Sequence, residues 1–289
     1  MREGDIAIEP QRTWSIAGRE LALDRVLIMG IVNMTPDSFV DGGRHFNAVD
    51  ALLHARQLID EGADIIDIGG ESTRPGAPEV EPDEETRRVV PLLEALAGGS
   101  IPVSVDTSKP EVMRAALAAG AAIINDVRAL QQPGALEAVA DSDCGLVLMH
   151  MQGTPRTMQQ APYYRAVTNE VLQFLSERVQ CARALGIDAR RIAVDPGFGF
   201  GKSIDHNFTL LAELSTLKQI QLPIVVGLSR KSMLGAATGR AVGDRAIASV
   251  AAALLAAERG ASIVRVHDVA ATRDALNVWK MIRNETRTQ

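Results

Sequence analysis

Short apolar runs alternate along this chain with longer stretches of mixed polarity, and six of those runs end on polar or charged side chains. Val26–Val32 leads into Asn33, Ile65-Ile66 into Asp67, Val103–Val105 into Asp106, Ile123-Ile124 into Asn125 and Ile192–Val194 into Asp195, while Ile263–Val266 delivers Arg265 and His267. A strand with an apolar body and a polar C-terminal end buries one part and presents the other. The pattern predicts eight strands: Val26–Val32, Asp64–Ile68, Pro102–Val105, Ala122–Ile124, Gly145–Met149, Arg191–Val194, Ile224–Gly227 and Ser262–Val266. Helices are predicted to begin near Ala48, Glu84, Pro110, Gly134, Ala166, Asn207, Ser232, Asp244 and Ala271. Pro110 suits a first helical turn, and Gly62, Gly120, Gly186 and Gly260 mark helix ends ahead of new apolar runs.

Eight strands separated by helices predict an α/β fold, a single (β/α)8 TIM barrel whose polar strand ends converge on one face. A doubly wound open sheet is the competing arrangement, because periodicity alone does not close a sheet. Thr13–Ile16 and Glu20–Leu23 predict a short N-terminal hairpin around Ala17-Gly18, a flap over the barrel bottom. The expected organisation is a hairpin extension over 1–25, a barrel over 26–282 and a flexible tail over 283–289. At 289 residues the chain matches the usual span of one such barrel, about 250 residues.

Composition narrows the function. A formal charge of -6 argues against general nucleic-acid binding yet leaves room for a local anion site. Aromatics make up only 3% of the chain, so Ala, Leu, Ile and Val must fill the core. Cys144 and Cys181 are too few for a disulfide scaffold and read as reduced packing residues of a cytoplasmic protein. No apolar run is long enough to predict a membrane span, and no basic-then-apolar leader is visible.

The candidate chemistry lies at the strand ends. Asn33-Met-Thr-Pro-Asp-Ser-Phe39 opens the first loop, where Asn33 is either a strand-end cap or a neutral oxygen ligand. Phe39 either tucks into a satellite core or covers a ligand. The next loop, Asp67-Ile-Gly-Gly-Glu-Ser-Thr-Arg-Pro-Gly76, carries Arg74, which grips an anion unless Glu71 neutralises it. Glu79, Glu81, Asp83, Glu84 and Glu85 near the following helix start are expected to face solvent and favour the helix dipole. Asp106, Asn125 and Asp195 are suited to reading the donor-rich edge of a heterocycle, although structural carboxylates are equally at home in barrels. Asp195-Pro-Gly-Phe-Gly-Phe-Gly-Lys202 predicts a close-fitting loop; it is no P-loop, since Pro196 stands where the first glycine is required. Lys231, Arg265 and His267 place positive charge after the seventh and eighth strands, where many barrels hold phosphate. The five histidines show no zinc spacing; a hard divalent cation held by Asn33 and ligand phosphate oxygens fits better.

Taken together, Asn33–Phe39, Asp67–Gly76, Asp195–Phe200, Ser229-Arg-Lys-Ser232 and Arg265-Val-His267 resemble the bacterial dihydropteroate synthase family of pterin-binding TIM barrels. The resemblance runs in order from Val26 to Lys280. It implies condensation of 6-hydroxymethyl-7,8-dihydropterin diphosphate with p-aminobenzoate, giving 7,8-dihydropteroate and diphosphate for folate biosynthesis. It further implies that Asp106, Asn125, Asp195 and Lys231 bind the pterin, and that Asn33, Arg74, Arg265 and His267 bind diphosphate with Mg2+ at Asn33. Phe39, Thr73, Pro75, Phe200 and Ser232 match the p-aminobenzoate environment, and Asp106, Lys231, Arg265 and His267 carry the catalytic expectation. The resemblance also implies a homodimer, with Ala246–Leu255 as a contact stretch. Two other readings remain at this point: a pterin-dependent methyltransferase with a corrinoid partner, and a non-catalytic pterin- or phosphate-binding homologue.

Overall fold

The computed structural model describes residues 11–34, 48–72, 76–154 and 156–285. An antiparallel hairpin, β1 (Thr13–Ile16) and β2 (Arg19–Ala22), precedes the barrel. The barrel strands are β3 (Leu27–Asn33), β4 (Ile65–Gly69), β5 (Val103–Asp106), β6 (Ile123–Asp126), β7 (Gly145–Met149), β8 (Ile192–Asp195), β9 (Val225–Val226) and β10 (Ile263–Val266). All neighbours pair in parallel, in the order β8-β7-β6-β5-β4-β3-β10-β9. A lone parallel bridge between Val194 and Ile224 joins the two ends and closes the ring. The barrel expectation therefore holds over the open sheet.

The helices are α1 (Ala48–Asp60), α2 (Pro82–Leu96), α3 (Pro110–Ala118), α4 (Ala135–Ala140), α5 (Val167–Ala184), α6 (Ile204–Ala212), α7 (Ser232–Thr238), α8 (Ala246–Glu258) and α9 (Val269–Glu285). Pro82 and Pro110 occupy first-turn positions, where a missing N–H costs nothing. The α6 helix starts three residues before the expected Asn207 because Ser203 and His206 form a reciprocal capping box. At the C-terminus α9 continues to Glu285, past the expected start of the tail. The seventh strand shrinks from the expected Ile224–Gly227 to Val225–Val226.

Strand parity divides the core in two. Residues of one parity, such as Ile66, Ile68, Val105 and Ile124, point outward and pack against Leu58, Leu92, Leu93 and other helical side chains. The opposite parity fills the barrel interior with Leu27, Met29, Ile65, Ile123, Val147, Ala193, Val225 and Ile263. Trp14 and Ile16 of the hairpin are fully buried in that interior cluster and plug its lower end. The Trp14 indole donates to the Arg191 carbonyl at 2.8 Å, and Ala17 N–H donates to Asp143 O at 2.8 Å. Gly145 makes the plug possible, because a Cβ there would lie 2.3 Å from Ile16 Cγ2.

Two residues further along several strands, on the same inward face, the chemistry changes. Ile65 is followed by Asp67, Ile123 by Asn125, Ala193 by Asp195 and Ile263 by Arg265. The interior is thus apolar at the hairpin end and charged at the other.

Candidate active site

Arg265 is the hub of the charged end. Its Nε donates to Asp67 Oδ2 at 2.6 Å, and one Nη donates to Asp106 Oδ2 at 3.0 Å. The same Asp67 oxygen accepts Nδ2 of Asn125 at 3.3 Å, so three strands are tied to β10 through one guanidinium. Burial works against the Arg265 charge, but Asp67 and Asp106 outweigh it and hold the pKa above its ordinary value. Asp106 responds in the opposite direction. Burial, aided by the Asp67 charge, pushes its pKa up to about 7 despite Arg265.

Asp195 ends β8 and accepts Gly197 N–H at 2.7 Å. Burial raises its pKa, while Lys231 pulls the other way. Lys231 occupies the N-cap position of α7 without a side-chain capping bond, and the preceding Arg230 adopts a left-handed φ of 59°. That strained residue is held by an ion pair to Asp268 at 2.7 Å and by its N–H donating to Ser249 Oγ at 2.9 Å. Lys231 Nζ donates to the Phe198 carbonyl and stands 4.7 Å from the centroid of the Phe200 ring. Burial lowers its pKa to about 8, against the opposing pull of Asp195.

At the margin of this network, His267 Nδ1 lies 2.9 Å from Ser229 Oγ. Asn33 faces Asp106 across the space left by Gly69: a Cβ there would be 3.8 Å from both Asn33 Oδ1 and Asp106 Cβ. Ser232 begins α7 and is exposed, one residue beyond Lys231, with no bond to the network. Asp67 therefore links Asn125 to Arg265 directly, Asp106 joins them through Arg265, and Asp195, Lys231 and Phe200 form an adjoining group. Phe39, Thr73, Arg74 and Pro75 lie outside the described residues.

Three sequence expectations change. Asp67 had no assigned role, yet it is fully buried and organises the network; its other carboxylate oxygen, Oδ1, has no hydrogen-bond partner among the described residues. Its parity with Ile65 was the available signal. Glu85, expected to face solvent, is fully buried and paired with Lys109, which also binds Glu71. Its spacing to Val89, Leu92, Leu93 and Leu96 sets it on the apolar face of α2, and burial raises its pKa. Cys144 is buried, but Cys181 is exposed on α5 and does not pack in the core.

Among the described residues, no group of three or more His, Cys, Asp or Glu side chains is arranged to hold a metal. Asn33, with its amide oxygen beside the Gly69 space, fits a hard cation only if a bound ligand and water supply most of the remaining oxygens.

Known proteins match this architecture throughout. The family model described as pterin binding enzyme matches residues 29–267. The chain is 50% identical over 262 residues to the dihydropteroate synthase of Escherichia coli strain K12, covering 90% of this chain and 93% of that protein. It is 51% identical to the synthase of Neisseria meningitidis serogroup C over 277 residues, covering 94% and 98% respectively. Among solved structures, Xanthomonas albilineans dihydropteroate synthase with 4-aminobenzoic acid superposes with a TM-score of 0.89 at 55% identity, covering 94% of this chain and 98% of that one. The Burkholderia cenocepacia synthase complexed with 7,8-dihydropteroate gives 0.88 at 50% identity, covering 97% and 100%. A barrel whose interior turns from apolar to charged at the strand ends, matched over nearly its whole length by these synthases, belongs to the dihydropteroate synthase family of pterin-binding enzymes.

Proposed function

We propose that the Arg265–Asp67–Asp106–Asn125 network is the floor on which this transferase joins a pterin to p-aminobenzoate. The enzyme condenses 6-hydroxymethyl-7,8-dihydropterin diphosphate with p-aminobenzoate and releases 7,8-dihydropteroate and diphosphate. Asp106, Asn125, Asp195 and Lys231 read the pterin. Because Asn125 Nδ2 already donates to Asp67, its carbonyl oxygen is left to accept from the ring. Asn33, Arg74, Arg265 and His267 hold the diphosphate. Phe39, Thr73, Pro75, Phe200 and Ser232 surround the p-aminobenzoate.

Residue types account for the division of labour. The bond from the pterin methylene to the diphosphate oxygen breaks, and the electron pair leaves with diphosphate. Arg265 and His267 stabilise that growing negative charge in a site shielded from water. Mg2+ held at Asn33 supplies further charge neutralisation of the phosphate oxygens when bound. Asp106 in its ionised form stabilises positive character on the methylene carbon, in a displacement of SN1 type. The p-aminobenzoate amine then forms the C–N bond and loses one proton, and exclusion of water from the site prevents competing attack on the same carbon.

The observation that carries this reading is the single guanidinium shared by two inward carboxylates at the end of an otherwise apolar barrel. The test is release of diphosphate with p-aminobenzoate present or omitted, in Mg2+ and in chelator. Release coupled to dihydropteroate formation is expected; ligand binding by folded protein without product would leave only a pterin-binding role.

A homodimer packed through α8 is part of the same reading, supported by Ile247 and Leu255, which are 86% and 43% exposed. Sedimentation of Ile247→Asp should show monomer where the wild type shows dimer. Among the described residues no helix is long and apolar enough to cross a membrane, and a cytoplasmic site of action is the accompanying proposal.

A further inference from the structure

The loop after β8 has an unusual property: five successive backbone carbonyls each receive a side-chain donor. Gly197 O accepts Lys202 Nζ at 2.9 Å, Phe198 O accepts Lys231 Nζ, and Gly199 O accepts Gln159 Nε2 at 2.6 Å. Phe200 O accepts Lys202 Nζ at 3.1 Å, and Gly201 O accepts the Tyr164 hydroxyl at 2.8 Å. The donors come from the β7–α5 connection, from the β8 loop itself and from the start of α7. Gly199 N–H is held as well, by Asn207 Oδ1 at 2.6 Å. Gly197, Gly199 and Gly201 all have positive φ, and a Cβ at Gly197 would lie 1.8 Å from His150 O. This backbone has no room to relax.

Lys202 is the centre of the arrangement. It is 2% exposed, and its third contact is His150 Nδ1 at 2.9 Å. Among the described residues no carboxylate lies at hydrogen-bond distance from it, and a buried lysine so placed is costly and calls for a reason. Burial drives its pKa well below the ordinary lysine value and drives that of His150 down to about 2. The two carbonyl bonds do not depend on that balance. An ammonium donates to both carbonyls and to a neutral His150, whereas a neutral amine donates to both carbonyls and accepts from Nδ1–H.

We propose that Lys202 is a positioning residue for p-aminobenzoate: by gripping the carbonyls on either side of Phe198 and Gly199, it fixes the stance of the Phe200 ring. Gln159 and Tyr164 brace the same segment from outside. Lys202 touches no substrate and acts through Phe200, so this inference rests on the reading that Phe200 lines the p-aminobenzoate site. A ring displaced by a fraction of its width loses the packing that orients the amine for attack.

The test is steady-state kinetics on Lys202→Met, Gln159→Ala, Tyr164→Phe, Phe200→Ala and the double variant Lys202→Met/Phe200→Ala. Lys202→Met should raise KM for p-aminobenzoate roughly tenfold and leave KM for the pterin diphosphate within about twofold. Gln159→Ala and Tyr164→Phe should move the same parameter in the same direction by about two- to threefold, and they keep the test alive if Lys202→Met does not fold. In the Phe200→Ala background, Lys202→Met should add little. Equal effects on both KM values, or full additivity with Phe200→Ala, would overturn the positioning role. An unchanged KM for p-aminobenzoate in Phe200→Ala alone would instead remove the reading on which it rests.

Discussion

The two ends of the barrel interior have the same geometry and opposite chemistry. At the hairpin end Trp14, Ile16, Leu27 and Ile263 form a dry cluster that contributes apolar burial and little else. At the loop end, same-parity positions two residues later carry Asp67, Asn125, Asp195 and Arg265, and buried polar atoms such as Asp67 Oδ1 and Ser104 Oγ have no partner among the described residues. One end stabilises the fold, and the other spends part of that stability on holding charges where a ligand arrives.

Substitutions at the two ends should therefore separate stability from activity. The largest effect is expected for Trp14→Ala, which removes a fully buried indole and should destabilise the protein by about 3–5 kcal/mol. Denaturant unfolding measures that loss, and KM values of the remaining folded enzyme should hold. Arg265→Ala should reverse the pattern: turnover falls by about 10²–10³-fold, while diphosphate-dependent pterin binding, read by calorimetry, is lost. Unchanged binding would take Arg265 out of the anion site. Gly145→Ala tests the plug more gently. Its new methyl meets Ile16, and overpacking should cost about 1–3 kcal/mol with no change in kcat.

The smallest effects are in pH dependence. With Asp106 near 7 and Lys231 near 8, kcat/KM should rise as Asp106 ionises and fall as Lys231 loses its proton. Lys231→Arg should remove the alkaline limb. Because the folded pKa of Asp106 is raised, the stability linked to that group is complete below the unfolded carboxylate pKa and is lost as pH climbs through about 7. Asp106→Asn should consequently melt higher than wild type above that pH, by on the order of 2 °C, while losing activity. An unchanged melting profile would place the cost of the charged end elsewhere.

Much of this contrast is written in the residue pattern. The apolar runs locate the strands to within a residue or two, as Val26–Val32 against Leu27–Asn33 shows, because parallel strands covered on both faces read as continuous apolar stretches. Their polar ends locate Asp106, Asn125, Asp195 and Arg265. Asp67 was legible as a strand end but not as an organiser, since its partner Arg265 is 198 residues away and only barrel closure brings them together. Glu85 was hidden among acidic neighbours, and helical phase, not composition, sets it inward. The grip of Lys202 on its loop had no local signal, because backbone carbonyls look alike in every sequence.

The ring itself is fastened unevenly. Seven junctions between neighbouring strands are ladders, but β8 meets β9 through the single Val194–Ile224 bridge, supported by Val194 N–H donating to Pro223 O at 2.9 Å. Ile224 N–H has the Ser262 hydroxyl at 3.4 Å, a far weaker hold than a ladder bond. This is a hoop with a clasp, and the clasp lies between the strands that carry Asp195 and lead to Lys231. Deuterium should enter the wall there before it enters β3 or β4, so the barrel opens most readily beside its chemistry.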